Sequence, residues 1–141
     1  GYVLAMNSLA GAAALSMTDG AYPVSKSGLF RLTDQLSSQL KGSGVKAIDL
    51  SPGLVLTDPA GAPSAPPGGW TPVERICDLV VACAHGEWDD FDGKFLHATD
   101  DFAAVRAHAD EILRNDRRVL RIVPGWEDDA RMKPYWGPPP E

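Results

Sequence analysis

Two short apolar runs separated by a long amphipathic stretch constrain this chain more than any other feature. Tyr2–Met6 is too brief for a helix and apolar enough throughout for a strand buried on both faces of a parallel sheet. Residues 45–50 form a second strand candidate. Between them, Asp19 and Gly20 mark a helix start, Pro23 is tolerated in the first turn, and Gly42 and Gly44 stop the helix near Lys41. Leu29, Leu32, Leu36 and Leu40 supply its apolar stripe. A strand, a helix and a strand in that order build a right-handed crossover with the two strands parallel. The order therefore predicts an α/β architecture, and with it the place of any ligand, outside the carboxyl ends of the strands. Asn7 and Ser8 close the first run, and Ser51, Pro52 and Gly53 close the second. Both ends point to one crevice.

Residues 9–18 are rich in Ala and read as a loop packed closely under whatever binds there. Residues 57–69 carry Pro59, Pro63, Pro66 and Pro67, which forbid regular structure; a loop of this length is commonly a lid or a binding loop. Thr71, Pro72 and Glu74 then form a capping box with Pro at the first helical position. The helix that follows has Val73, Ile76, Cys77, Val80, Val81 and Ala84 as its apolar face and ends at Gly86. Residues 94–98 read as a third strand, and Thr99 or Asp100 caps a helix carrying Phe102, Val105, Ala109, Ile112 and Leu113. Residues 119–123 are a further strand candidate. The expected organisation is one α/β unit over 1–123 followed by an extended Pro- and Trp-containing tail over 124–141.

The totals exclude several classes of function. A chain of 141 residues, 44% hydrophobic and 23% charged, fits one globular domain or a piece of one. A net charge of -6, with the basic residues scattered, argues against a nucleic-acid partner. The longest apolar stretches, 79–84 among them, fall far below the ~20 residues a membrane-crossing helix needs. Cys77 and Cys83 lie on different faces of one helix, so no disulfide is expected between them, and the thiol usage suits a reducing cytoplasm. The acidic group Glu87, Asp89, Asp90 and Asp92 lacks calcium-loop spacing: with Gly93 as the loop glycine, the ligand positions fall on Trp88 and Thr99. His85, His97 and His108 share no zinc-like spacing with the cysteines and read as caps and surface residues. No metal site is expected. Trp70 stands beside the candidate lid.

Tyr22 and Lys26 are four positions apart and share one helical face. A phenol beside an ammonium releases its proton more readily than one alone, so the pair is suited to acid–base work. Such a pair on its own reads more simply as two exposed helical residues. Its flanks change that balance. Asn7-Ser8-Leu9-Ala10-Gly11, then Ala21-Tyr22-Pro23-Val24-Ser25-Lys26-Ser27-Gly28-Leu29, then Ser51-Pro52-Gly53-Leu54-Val55-Leu56-Thr57, resemble three successive blocks of the short-chain dehydrogenase/reductase family in order and spacing. The likeness runs from Gly1 to about Asp101, where Asp92-Gly93-Lys94-Phe95-Leu96 resembles the family's last core strand.

The resemblance implies the C-terminal half of a Rossmann-type doubly wound parallel sheet, about three strands with crossover helices. It implies hydride transfer between NAD or NADP and a small carbonyl or alcohol substrate. Tyr22 is then the proton donor or acceptor at the substrate oxygen, Lys26 assists it and holds the nicotinamide ribose, and Ser8 holds the substrate oxygen. Pro52, Gly53, Val55 and Thr57 lie along the nicotinamide, with Thr57 near its carboxamide. Family members pair through the Tyr-Lys helix, so the resemblance also implies a homo-oligomer for the full-length form. The family's glycine-rich phosphate turn and its upstream Asn are not among these residues, and the chain opens on Gly1. The expectation is therefore an incomplete chain, inactive alone. A second reading, from a different class, is a non-catalytic truncated chain that serves as an interaction or assembly module through the helix over 22–41.

Overall fold

In the computed structural model, which describes residues 1–13, 20–57 and 64–121, three parallel strands form one sheet. They are β1 (Tyr2–Met6), β2 (Lys46–Ser51) and β3 (Phe95–His97), in that spatial order. Met6 pairs with Leu50 and Leu50 with Leu96, so the carboxyl ends of all three strands are level. Asn7 N donates to Leu50 O at 2.7 Å and Ala98 N to Ser51 O at 2.8 Å, extending the ladder just past the last strand residues. The helices are α1 (Ala21–Gln39), α2 (Val73–Ala84), α3 (Phe102–Ala107) and α4 (Ala109–Arg114). Single 3-10 turns occupy Leu9–Gly11 and Asp89–Phe91. The α/β class and the parallel β1–α1–β2 crossover are as the sequence order requires.

Strand β2 is central, and its alternation sorts the two layers. Ile48 and Leu50 join Ile76, Leu79 and Cys83 of α2 in the main core, with Phe91, Leu96 and Val105. Asp49 takes the other face, where Thr33 of α1 reaches it. Across that face Phe30 of α1 packs on Phe95, ring centroids 5.1 Å apart.

Two apolar stripes differ from those read in the sequence. Helix α2 buries Ile76, Leu79 and Cys83, whereas Val73, Cys77 and Val81 are exposed. Residues 79–84 are apolar on nearly all sides, so periodicity does not choose a face there; packing against Ile48 and Leu50 does. Helix α1 docks through Phe30 and Thr33, leaving Leu32 51% exposed. One position along a helix is a rotation of about 100°, so centring the contact on Phe30 and Thr33 turns Leu32 to solvent.

Other expectations also shift. Strand β1 is an edge strand with Val3 and Met6 exposed, not one buried on both faces. Thr71 does not cap α2: Pro72 is the N-cap, and Thr71 Oγ1 instead accepts from Leu54 N at 3.2 Å while Thr71 N donates to Leu54 O at 2.7 Å. The helix after β3 is capped by Asp101, which accepts from Ala104 N, and it is split at His108 into two six-residue helices. Residues 119–121 are irregular, and the chain just before them covers the free edge of β3. There Phe95 N donates to Arg118 O at 2.9 Å and the Arg118 guanidinium pairs with Asp100 at 2.7 Å. The helix start at Asp19, the middle of the candidate lid and the tail over 124–141 lie outside the described residues. Among the described residues no helix is long and apolar enough to cross a membrane.

Candidate active site

The end of β1 is pinned to the first turns of α1 by a contact only glycine permits. A Cβ on Gly11 would lie 2.6 Å from the Lys26 carbonyl carbon and 2.8 Å from Ser27 N. Ser27 Oγ donates to Gly11 O at 2.6 Å and closes the same contact. Ser8 caps the 3-10 turn, its Oγ accepting from Ala10 N at 3.2 Å. Its backbone N donates to Asn7 Oδ1 at 2.8 Å. On α1, Lys26 Nζ donates to Met6 O at 2.8 Å and stands 5.6 Å from the centroid of the Tyr22 ring. The helical spacing thus does bring ammonium and phenol together, and the ammonium is anchored to the end of β1.

Ser8 and Tyr22 line a pocket of about 570 Å³ at the level carboxyl ends of the strands. Ser51, Gly53 and Leu54 enter from the end of β2, His97 and Thr99 from the end of β3, and Trp70 from the loop before α2. Gly53 has φ +79, and a Cβ there would collide with the Thr71 side chain, so this turn accepts no other residue without movement. Of the sequence candidates, Ser8, Tyr22 and Gly53 share the pocket; Lys26, Pro52, Val55 and Thr57 are not among its lining residues.

His97 read as a cap or surface residue in the sequence, yet it faces this pocket. Thr99 N donates to its Nδ1 at 3.2 Å and Thr99 Oγ1 lies 2.8 Å from the same nitrogen. In the neutral ring this leaves the hydrogen on Nε2. Burial lowers the His97 pKa, which favours that neutral ring. Its position at a strand's carboxyl end was the signal available in the sequence. Among the described residues no three His, Cys, Asp or Glu converge on a metal site.

Beneath the pocket lies an acid that the sequence reading passed over. Asp49 is 1% exposed, and its Oδ1 accepts from Asn7 Nδ2 at 2.9 Å and from Thr33 Oγ1 at 3.0 Å. Burial pushes its pKa up to about 6, against the opposing pull of those two hydrogen bonds. The folded state therefore binds this proton more tightly than the unfolded chain. The resulting stabilisation is full below the unfolded value near 3.8 and is lost as pH rises through about 6. The swing is on the order of 3 kcal/mol. Asp49→Asn removes the titration while keeping an acceptor oxygen, so its Tm relative to the natural sequence should climb between pH 4 and pH 8, roughly the span of the shift. A difference in Tm that stays constant over that range would rule out the assignment.

No family model and no curated protein matches the sequence. Solved structures do. One is the RhlG/NADP active-site complex of Pseudomonas aeruginosa, 25% identical with TM-score 0.56, covering 68% of this chain and 44% of that one. Another is a gluconate 5-dehydrogenase from Burkholderia cenocepacia J2315 in complex with NADP and tartrate, 22% identical with TM-score 0.58, covering 69% and 42%. A third is an oxidoreductase of the short-chain dehydrogenase/reductase family from Brucella ovis with a partially ordered NAD, 22% identical with TM-score 0.50, covering 69% and 39%. Over the part it covers, the chain has the fold of these oxidoreductases. It spans about two fifths of the length of these structures. The pocket lined by Ser8 and Tyr22 accordingly sits at the strand ends of a sheet with that fold.

Proposed function

We propose that this chain contributes the proton-handling part of an NAD(P)-dependent oxidoreductase that interconverts a small carbonyl compound and its alcohol. The observation that carries the reading is the meeting of Ser8 and Tyr22 on one pocket at the strand ends, with the Lys26 ammonium beside the phenol ring. Hydride leaves or joins carbon as a proton leaves or joins oxygen, so a proton-exchanging group must touch that oxygen. Tyr22 is the group of the right chemistry, Ser8 orients the substrate oxygen, and Lys26, anchored by Met6 O, stands beside the Tyr22 ring.

The residues present suit a nicotinamide. The glycine turn at Gly53 brings backbone close to the pocket, and Ser51 and Thr99 give it polar edges. Pro52, Gly53, Val55 and Thr57 would flank the ring, and Tyr22 and Lys26 would meet its ribose. When bound, the nicotinamide supplies or accepts the hydride. The similar structures hold NADP or NAD, which supports the cofactor class. Homo-oligomer formation through α1, with Val24 and Leu32 exposed on it, and a cytoplasmic setting for the free thiols complete the proposal. The geometry does not favour a non-catalytic assembly module over this reading.

Titration of the natural protein at full length with NADH and with NADPH, followed by fluorescence, tests the proposal. Saturable binding of one form is expected, with turnover on at least one member of a panel of small ketones and aldehydes. Binding of neither form would refute it.

A further inference from the structure

An ionisable group buried in the middle strand of a small sheet is costly unless it is fully hydrogen-bonded. Asp49 is such a group, flanked along β2 by the apolar Ile48 and Leu50. Its two side-chain hydrogen-bond partners come from different elements: Thr33 from α1, and Asn7 just beyond β1. Asn7 is itself 3% exposed, and its backbone N–H and both ends of its side-chain amide are hydrogen-bonded. Its backbone N donates to Leu50 O, its Nδ2 to Asp49, and its Oδ1 accepts from the backbone N of Ser8. The amide is therefore oriented: because the carboxylate accepts only, Nδ2 must face Asp49, and Oδ1 is left to face Ser8. An amide turned the other way would set Oδ1 against the carboxylate and Nδ2 against the Ser8 N–H. The chain of contacts thus runs from a buried acid to the residue whose hydroxyl lines the pocket.

We infer that Asp49 is a positioning residue for Ser8, acting through the Asn7 side-chain amide. The inference rests on the proposed role of Ser8 and adds to it what sets that hydroxyl in place. Asp49 does not touch the pocket. It fixes which way Asn7 faces, Asn7 holds the Ser8 backbone, and the Ser8 backbone opens the 3-10 turn on which Oγ is held by Ala10 N. Thr33, bonded to the same Asp49 oxygen, ties this arrangement to α1, the helix that carries Tyr22. One buried oxygen consequently relates the two elements that must present hydroxyl and phenol to the same substrate oxygen.

An exchange of the two side chains tests this without altering volume. In the natural protein at full length, Asn7→Asp sets two acids face to face and removes the donor to Asp49. At pH 8 it should lower kcat about tenfold, with KM for the nicotinamide changed by less than about twofold, since small misplacements act on the chemical step. Adding Asp49→Asn restores one donor and one acceptor with reversed direction, and the double variant should recover to within about threefold of natural kcat. The carbonyl used is whichever member of the ketone and aldehyde panel turns over fastest. Asn7→Ser, which breaks the link without adding charge, should show a similar loss if Asn7→Asp does not fold. A purely structural role predicts a lower Tm with unchanged kcat per folded molecule and no recovery in the double variant; that result overturns the inference. Ser8→Ala in the same assay separates the two failures. Unchanged turnover there overturns the reading of the site itself, whereas a loss there with none in folded Asn7→Asp or Asn7→Ser overturns the role of Asp49 alone.

Discussion

Tyr22→Phe in the natural protein at full length should lower kcat by about 10²–10⁴-fold, the usual contribution of a positioned acid–base group. Affinity for the nicotinamide should stay within about threefold, because the ring and its place on α1 are kept and only the oxygen is lost. Stability should hardly change: Tyr22 is 44% exposed at the start of the helix, away from the main core. The expected signature is a folded protein that binds cofactor and does not turn over. Steady-state kinetics and a cofactor titration on the same preparation read both halves of it. Turnover within a factor of about three of the natural protein would remove Tyr22 from the mechanism and leave the pocket without its proton carrier.

Phe91→Ala should act in the opposite way, costing about 3–5 kcal/mol of stability with little effect on catalysis per folded molecule. Phe91 is fully buried, its ring edge-on to Trp88 with centroids 5.1 Å apart, and the Arg106 guanidinium lies 5.0 Å from its centroid. Arg106 itself is held by Asp90 and by the carbonyl of Glu87, so the wall around Phe91 is braced and collapses little into a cavity. Phe91 does not line the pocket. A urea melt followed by circular dichroism measures the effect; a loss below about 1 kcal/mol would mean that the surrounding side chains close the void. Taken as a pair, the two variants separate the helix face proposed to handle protons from the core that supports the sheet.

How much was legible in advance differs from element to element. The strands around Leu4, Ile48 and Leu96 and the helix after Gly20 were readable because strand runs, glycine stops and proline placement are local signals. Ser8, Tyr22 and Gly53 were picked out from their blocks, and the structure places all three on one pocket. His97 has no metal-ligand spacing to mark it, and its place at a strand end is the local signal that points to the pocket. Asp49 offered a signal too: a lone acid within an apolar run is unusual for a central strand.

The sequence by itself determined the order of strand and helix, hence the parallel crossover, and the identity of the groups at the strand ends. Those depend on residues close together in the chain, whose periodicity and turn chemistry act locally. Only the tertiary structure decided which side of α1 and α2 is buried, and that Asp49 is an internal acid tied to Ser8. Its partner Thr33 lies 16 positions away and its partner Asn7 lies 42 away. Ser8 therefore takes its chemistry from its own hydroxyl, whereas its link through Asn7 to the Asp49 carboxylate on another strand comes from folding, since a buried charge is held only by the groups that folding brings around it.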